Sequence, residues 1–413
     1  MKILLVTADY PPEIRSVATM CKELAEELTL RGHQVTVLTS YESCNLPDGI
    51  IPKSFNTDAE ENSVRVLRVK TMPLHKSNYW IRGLAQITLP FLFLRTLKKK
   101  VREKMDAVII YSPPLSLARI GAALKKIHGP EVYVLFNVQD IFPQNAIDLG
   151  ILKNKLIIRY FEQAEICVYR GADALTTCTE GGRQFLITHK GVDEKKVTAV
   201  YNWIDLEPYE TAKPDGFREL YKLKKKFVIL FAGIIGLSQG LEYIVEVARR
   251  LTAFPDIVFL FLGDGTSRFY LKELVNRYGL TNVRFGGFIL PDKYPALLKE
   301  IDVGLMTLEK NCKTPTIPGK FFGFAAASLP VLAFLNPESE GHRVIKEAQC
   351  GYSMIPEDPE AGAQLVRRMY ELRKTLSFLG NNGHDYVAKH FSKCISIDII
   401  ERLISKCNRC LKK

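Results

Sequence analysis

Short apolar runs that end in turn residues alternate with stretches of helical spacing along most of the chain. The first run, Lys2 to Thr7, is rich in apolar residues and meets Asp9-Tyr10-Pro11-Pro12, so it predicts a buried strand. Residues 17–30 then carry apolar side chains at helical spacing, and Val35 to Thr39 predicts the next strand. A strand, a helix and a strand within about 40 residues form a βαβ unit, which implies a parallel sheet.

The same alternation recurs up to residue 205 and begins again after residue 224. The predicted strands are 2–7, 35–39, 107–111, 132–137, 174–177 and 197–200, followed by 227–232, 257–262, 283–285, 302–306 and 330–333. They predict an α/β protein with two Rossmann-like domains, residues 1–205 and 206–385, and a C-terminal helix at 386–413. We expect their parallel sheets to face each other across a cleft, because ligands bind at the carboxyl ends of such strands.

Composition narrows the class of partner. Of 413 residues, 47% are hydrophobic and 25% charged, as in ordinary globular proteins, and the net charge of +12 favours acidic partners such as phosphates, nucleic acid or an anionic membrane. The Cys407–Cys410 pair stands alone, so we expect reduced thiols and no metal site. We also expect neither a secretory signal nor a membrane-spanning stretch, and hence a cytoplasmic protein.

A glycine-rich segment follows the strand 227–232 and precedes a predicted helix. Glycines let a ligand approach the backbone, and free N–H groups at a helix start can bind an anion. The segment lacks the spacing of a dinucleotide site or a P-loop, so a phosphate site and a plain βα turn are equally supported. The candidate ligand contacts in it are Gly233, Gly236, Ser238, Gln239 and Gly240.

Two further segments end strands or open helices in the second domain. Gly263-Asp264-Gly265 is either a sharp turn or part of the same ligand site. Pro318-Gly319-Lys320 opens an apolar helix, and a lysine there opposes the helix dipole unless an anion lies nearby. A solvated surface lysine is the alternative. Position therefore places Gly263–Gly265 beside the glycine-rich segment and suggests a phosphate partner near Lys320, although neither segment is specific by itself.

Two acidic residues follow strands of the first domain. Asp140 comes after the strand 132–137, and Glu13 comes after the first strand. Asp140 is compatible with a cap on the next helix or with a polar group in the cleft, and Glu13 is equally ambiguous.

An apolar segment between Ile87 and Leu97 runs into a basic cluster. The cluster contains Lys98, Lys99 and Lys100, and His75, Lys76, Tyr79, Trp80 and Arg82 lie just upstream. An apolar face with a basic edge is typical of helices that lie on an anionic bilayer, so we expect peripheral membrane contact there. A solvated basic helix end is the alternative.

Taken together, these motifs resemble the retaining family-4 type of glycosyltransferase with the GT-B fold. The chain is most similar to bacterial enzymes of O-antigen and colanic-acid assembly, including the N-acetyl-fucosamine transferase type. The likeness spans nearly the whole chain and rests on the order and spacing of 10–13, 31–39, 112–115, 137–143, 201–205, 236–240, 263–265 and 318–320.

The resemblance implies a donor and an acceptor. The second domain would bind a nucleotide-sugar, with a UDP-sugar expected, through the glycine-rich segment, Pro318, Gly263–Gly265, Gly287 and Phe288. Glu13, Asp140 and Lys320 would be the catalytic residues. Neither a metal nor a cofactor is expected, since a cationic side chain can stabilise the departing diphosphate. The acceptor would be a lipid-linked glycan at the inner face of the cytoplasmic membrane, and no nucleic acid partner is expected.

Three positions depart from that family pattern. Arg15 and Ile234 replace a glycine and an asparagine, and Gly323 replaces a glutamate that binds ribose hydroxyls. These departures leave open an alternative, a degenerate glycosyltransferase that serves as a nucleotide-binding or scaffold subunit. An epimerase acting on the nucleotide-sugar is a third possibility, for which no acid and base pair can be placed.

Overall fold

A computed structural model describes residues 1–41, 46, 56–72 and 79–406. The chain forms two compact units. The first comprises Met1–Pro143, Leu152–Tyr201 and the chain from Cys394 onward, and the second comprises Gln144–Ile151 and Asn202–Lys393. The change of unit after Tyr201 lies close to the predicted boundary at residue 205.

The first unit contains an eight-stranded sheet. Its strands are β1 (Lys2–Val6), β2 (Gln34–Tyr41), β3 (Asp58–Glu61), β4 (Val64–Lys70), β5 (Ala107–Ser112), β6 (Tyr133–Val138), β7 (Ala174–Thr177) and β8 (Val197–Ala199). Their order is β3-β4-β2-β1-β5-β6-β7-β8, and every neighbouring pair is parallel except β3 with β4. The six predicted strands are present, and the parallel α/β class is confirmed.

Six strands were predicted for this sheet, and the structure has eight. Sequence reasoning missed β3 and β4, although Val64 and Val66 alternate with the arginine between them. Both valines are fully buried, and alternation of this kind is the ordinary strand signal. β3 offers no such signal, because it is the short acidic segment Asp58–Glu61 at the sheet edge.

Three of the helices that pack on this sheet are neighbours of one another. They are α2 (Tyr79–Lys100), α3 (Ala118–His128) and α5 (Lys155–Gly171), and α3 packs against both of the others. Buried side chains of α2 recur every four residues and join the same apolar core as Ile120 of α3 and Tyr169 of α5. The remaining helices before residue 201 are α1 (Ser16–Leu30), α4 (Gln144–Asp148) and α6 (Glu180–Lys190).

The second unit contains a six-stranded, fully parallel sheet in the order β11-β10-β9-β12-β13-β14. Its strands are β9 (Phe227–Ala232), β10 (Ile257–Leu262), β11 (Val283–Gly286), β12 (Val303–Thr307), β13 (Val331–Phe334) and β14 (Gly351–Met354). β14 was not predicted, because Gly351-Tyr352-Ser353-Met354 is a half-buried edge strand without an apolar run.

The helices of the second unit surround this sheet. They are α7 (Glu207–Thr211), α8 (Phe217–Leu220), α9 (Leu241–Arg250), α10 (Arg268–Arg277), α11 (Tyr294–Leu298), α12 (Lys320–Ala326), α13 (Gly341–Ala348), α14 (Pro359–Glu371) and α15 (Ser377–His390). The apolar core of the unit gathers buried side chains from the sheet, α9, α10 and α14.

The C-terminal part of the described chain returns to the first unit. Where one helix was predicted from residue 386, the structure has the end of α15 and then α16 (Lys393–Ile404). Ser396 donates to the carbonyl of Tyr201 at 2.8 Å, and Arg31 pairs with Asp398 and Glu401. Cys407 and Cys410 lie outside the described residues.

Among residues 1–41, 46, 56–72 and 79–406, no helix combines the length and the apolar character that crossing a bilayer requires. The same residues hold no cluster of three or more His, Cys, Asp or Glu side chains suited to a metal ion.

Candidate donor and acceptor sites

The glycine-rich segment of the second unit lies at the carboxyl end of β9. Gly233 has a φ of +141° and Gly240 a φ of +56° immediately before α9. A Cβ atom built on Gly233 would lie 2.9 Å from Cε of Lys320. The backbone at position 233 therefore favours glycine, and a side chain there would displace the end of Lys320.

Lys320 reaches this segment from the start of α12. Its Nζ donates to Oε1 of Gln239 at 2.8 Å and lies 4.4 Å from the centre of the Phe231 ring. The side chain is half-buried, which disagrees with the alternative of a solvated surface lysine. In the described part of the chain no carboxylate lies within 4.0 Å of this ammonium group.

The surroundings of Lys320 disfavour its charge. Burial lowers the pKa of Lys320 to about 8, because a medium of low dielectric penalises the charged form. An amide oxygen and an aromatic ring compensate only part of that penalty, and an anion would supply the rest. The arrangement is that of a cation prepared for an anionic ligand.

The neighbouring loops hold the glycine-rich segment in place through backbone contacts. The N–H of Gly233 donates to Leu262, that of Ile235 donates to Asp264, and that of Gly263 donates to Gly287, at 2.9 to 3.0 Å. A Cβ on Gly263 would lie 1.9 Å from the Gly233 oxygen, and one on Gly265 would lie 2.3 Å from the Ile235 oxygen. These glycines thus have a packing role, and their contact with a donor stays a prediction.

The predicted residues at the end of the segment are hydrogen-bonded to the end of β12 and to the loop that follows it. The carbonyl of Ser238 accepts from the N–H of Glu309 at 2.9 Å, and the carbonyl of Gln239 accepts from the Thr307 hydroxyl at 2.8 Å. Gly236 and the side chain of Ser238 are half-buried. Because the backbone carbonyl of Gln239 bonds to Thr307, its side-chain oxygen is available to accept from Lys320.

Three more predicted donor residues are located in the same unit. Phe288 is 57% exposed and follows Gly287, where an added Cβ would meet nothing within 4 Å. Pro318 is buried, and its carbonyl accepts from the N–H of Phe321 at 3.0 Å at the start of α12.

Sequence reasoning missed Arg268, at the start of α10. Its Nη2 donates to the carbonyl of Gly286 at 2.9 Å, and its buried Nε has no partner among the described residues. Arg268 follows Gly263-Asp264-Gly265 by three residues, so its position after a strand end was the available signal. It adds a second cation at the edge of the sheet that carries Lys320.

Gly323 lies one helical turn after Lys320, on the same side of α12. A Cβ built there would lie 3.1 Å from Cε1 of Tyr294 and 3.4 Å from the hydroxyl of Tyr209. Burial raises the pKa of Tyr294 far above its usual value, so its hydroxyl stays neutral. The side chains of Tyr294 and Tyr209 thus border the position where the family pattern has a carboxylate.

In the first unit, Glu13 lies in the loop after β1 and is buried, at 6% exposure. Nε of Arg15 donates to Oε1 of Glu13 at 2.8 Å and lies 3.5 Å from Oδ1 of Asp9. Arg15, which replaces a glycine of the family pattern, therefore contributes a positive charge between two buried carboxylates.

Asp140 follows β6 in the same unit and is exposed. Its carboxylate forms no hydrogen bond or ion pair within the described ranges, and it does not cap a helix. The residues before it are ordered: Gln139 donates to Asn137 at 2.7 Å, and Asn137 donates to Thr176 at 3.0 Å. Asp140 and Glu13 both follow parallel strands, so they lie at the same edge of the first sheet.

Comparisons with known proteins agree with this arrangement. Residues 16–203 match the family described as Glycosyl transferase 4-like domain, and residues 213–386 match Glycosyl transferases group 1. The chain belongs to the glycosyltransferases of this family-4 type, and it is an enzyme that transfers sugars.

Its relatives include bacterial glycosyltransferases. WbjE of Pseudomonas aeruginosa, named as a glycosyltransferase, is 30% identical over 78% of this chain and 80% of its own length. WcaI of Escherichia coli, named as a colanic acid biosynthesis glycosyl transferase, is 26% identical over 79% of this chain and 81% of its own length.

Solved structures share the fold. Sucrose-phosphate synthase from Thermosynechococcus elongatus superimposes with a TM-score of 0.77 at 15% identity, covering 99% of this chain and all of that one. Anabaena Alr3699/HepE in complex with UDP gives 0.70 at 16% identity, over 98% of this chain and all of that one. WaaG, a glycosyltransferase involved in lipopolysaccharide biosynthesis, gives 0.66 at 14% identity, over 98% and 99%. The GT-B fold expected from the sequence is confirmed.

Proposed function

We propose that this glycosyltransferase moves a sugar from a UDP-sugar to a lipid-linked glycan of a surface polysaccharide, with retention of configuration. The observation that carries the donor part is the half-buried Lys320, which lies on a glycine-rich loop without a carboxylate partner among the described residues. The Anabaena protein of the same fold was solved as a complex with UDP, which supports the choice of nucleotide. The name of WcaI supports a polysaccharide acceptor.

Such a transfer requires stabilisation of the negative charge that develops on the departing diphosphate. The Lys320 ammonium group and N–H groups of the glycine-rich loop are suited to stabilise that charge. Arg268 is a further cation on the same sheet edge. A cationic side chain in place of a metal ion would allow transfer without Mg²⁺. An assay in the presence of EDTA tests whether transfer needs a divalent metal ion.

The two residues predicted on the acceptor side, Asp140 and Glu13, differ in whether their carboxylates can contact an acceptor. Asp140 is exposed and without a protein partner in the described ranges, so its carboxylate is suited to accept a hydrogen bond from an acceptor hydroxyl. Glu13 is already engaged by Arg15, so its role in the proposal is to orient that loop. The acceptor's lipid would keep the enzyme at the inner face of the cytoplasmic membrane.

A panel of UDP-, GDP-, ADP- and dTDP-sugars tests the donor. Release of the nucleoside diphosphate should occur with a UDP-sugar, should increase when lipid-linked acceptor is added, and should persist in EDTA. The anomeric configuration of the product, read from NMR couplings, tests retention. Turnover confined to another nucleotide would refute the UDP assignment.

The alternative of a nucleotide-binding or scaffold subunit draws on one observation, the phenols that border Gly323 where a carboxylate is usual. In that case UDP would bind while every nucleotide-sugar remained intact.

A further inference from the structure

The outward side of α2 carries a stripe of exposed apolar residues. Leu84, Ile87 and Phe91 are 50%, 60% and 61% exposed. Their spacing of three and four residues aligns them along the helix. The opposite side of α2, including Leu89 and Phe93, is fully buried in the core. The exposed stripe is therefore not part of the apolar core of the unit.

The stripe continues into basic residues. Arg95 and Lys98 occupy the next positions of the same spacing, and both are exposed. Lys100 differs, because its Nζ lies 3.3 Å from Oδ2 of Asp58. Within the basic cluster Lys98–Lys100, Lys98 thus continues the exposed stripe, whereas Lys100 is paired with a carboxylate of the same unit.

A second apolar projection occurs on α5 of the same helical layer. Leu156 is 79% exposed and Tyr160 is 61% exposed, in the first turns of the helix. Lys155 and Arg159 are exposed beside them. Sequence reasoning missed this segment because it is short and is separated from α2 by more than fifty residues.

The part of the layer that carries the two projections contains only basic charged residues. Neither α2 nor α3 contains an Asp or a Glu, and none occurs in residues 149–161, although Glu162 and Glu165 follow in α5. Between the two projections lies α3, whose neighbour Phe91 on α2 has its ring 6.0 Å from the Arg119 guanidinium. A surface that combines exposed apolar side chains with an excess of cations complements an anionic lipid surface.

The topology places both projections at one edge of the sheet. A helix that follows a parallel strand begins near the carboxyl end of that strand, and α2, α3 and α5 each follow such a strand. Glu13 and Asp140 lie at this same edge. A sugar acceptor held at a bilayer would therefore approach the enzyme at the edge where these acidic residues lie.

We propose that the outward face of the α2–α3–α5 layer, defined by Leu84, Ile87, Phe91, Arg119, Leu156 and Tyr160, rests on an anionic lipid leaflet. The inference deepens the proposed function and rests on its lipid-linked acceptor. Apolar side chains enter the interface and the cations meet lipid phosphates. Nucleic acid offers no equivalent site for Leu84, Phe91 and Leu156.

Flotation of the full chain with vesicles tests the surface. Phosphatidylcholine vesicles with about a quarter phosphatidylglycerol, enough to give the leaflet a negative surface potential, are compared with pure phosphatidylcholine. Wild type should float with the anionic vesicles. Leu84→Ser/Phe91→Ser and Leu156→Ser/Tyr160→Ser should each reduce the partition coefficient at least tenfold. Phe269→Ser/Phe378→Ser changes two aromatic residues that are 73% and 65% exposed in the second unit, and should float as wild type.

A second measurement locates the contact. Fluorescence of Phe91→Trp and of Leu156→Trp should be quenched by brominated lipids more strongly than that of Phe269→Trp. Absence of this difference, or a wild type that does not float, would overturn the proposal. The same holds if Lys98→Glu/Lys99→Glu abolishes flotation while both serine variants float as wild type.

Measurement of UDP-sugar turnover on the same samples, with a lipid-linked and with a soluble acceptor, separates this inference from the proposed function. Vesicle binding without use of any UDP-sugar would refute the proposed function and leave the surface intact. Transfer from a UDP-sugar to a soluble acceptor, without vesicle binding by wild type, would refute the surface alone.

Discussion

In each unit the loop after the first strand lies beside a cation at the carboxyl edge of a parallel sheet, but the two cations have opposite surroundings. Arg15 in the first unit lies between Glu13 and Asp9, at 2.8 and 3.5 Å. Lys320 in the second unit meets only the amide of Gln239 and the ring of Phe231 among the described residues. A cation with carboxylate partners holds a loop together, whereas one without them retains the capacity to bind an anionic ligand.

The largest effect should follow from removing the unpaired cation. Lys320→Ala should weaken UDP binding by roughly tenfold to a hundredfold, because a charge-assisted hydrogen bond contributes about 1.5–3 kcal/mol. Calorimetry measures it, and Lys346→Ala, an exposed lysine on α13, is the matched control. Equal affinity in wild type and Lys320→Ala would remove Lys320 from the donor site.

Removing the paired cation should change stability and leave donor binding intact. Arg15→Ala deprives two buried carboxylates of a counter-charge, so the free energy of unfolding should fall by about 2 kcal/mol or more. Arg15→Lys, which keeps the charge, should lose less. Denaturant unfolding gives the stability and calorimetry gives the UDP affinity. A large loss of UDP affinity at unchanged stability would contradict the contrast between the loops.

The pH dependence of donor binding should report Lys320 alone. Its pKa is lowered to about 8 in the free protein, and a bound anion raises that pKa. Binding then takes up a proton above pH 8, so UDP affinity should be flat just below pH 8 and fall up to tenfold per pH unit above it. Calorimetry at pH 7, 8, 9 and 10 measures the slope. An identical slope in Lys320→Ala would assign the titration to another group.

The smallest effect is expected at Gly323. Gly323→Glu places a long carboxylate where even a Cβ would lie 3.1 Å from Tyr294, so sugar transfer should fall several-fold. Gly323→Ala, which adds only the Cβ, should retain most of the activity. Turnover that is absent in wild type with every nucleotide-sugar, and present in Gly323→Glu, would instead favour the degenerate subunit.

The sequence by itself determined the local features of this protein. Apolar runs ended by glycine or proline marked the parallel strands. Gly233 stood out because a glycine-rich segment follows a strand and opens a helix, and Lys320 stood out because it conflicts with an ordinary helix start. Each of these signals is contained within a few residues of the chain, so it can be recognised from the sequence alone. β3 and β14 were missed because short edge strands lack a buried apolar run.

Only the tertiary structure decided which side chains meet. Arg15 and Glu13 are close in sequence, but their ion pair with Asp9 depends on how the loop after β1 folds. Tyr209 and Tyr294 border Gly323 from two different helices, and α3 joins the exposed faces of α2 and α5 into one surface. Such contacts arise from packing between distant segments, whereas hydrophobic periodicity reports only which side of a single element is buried.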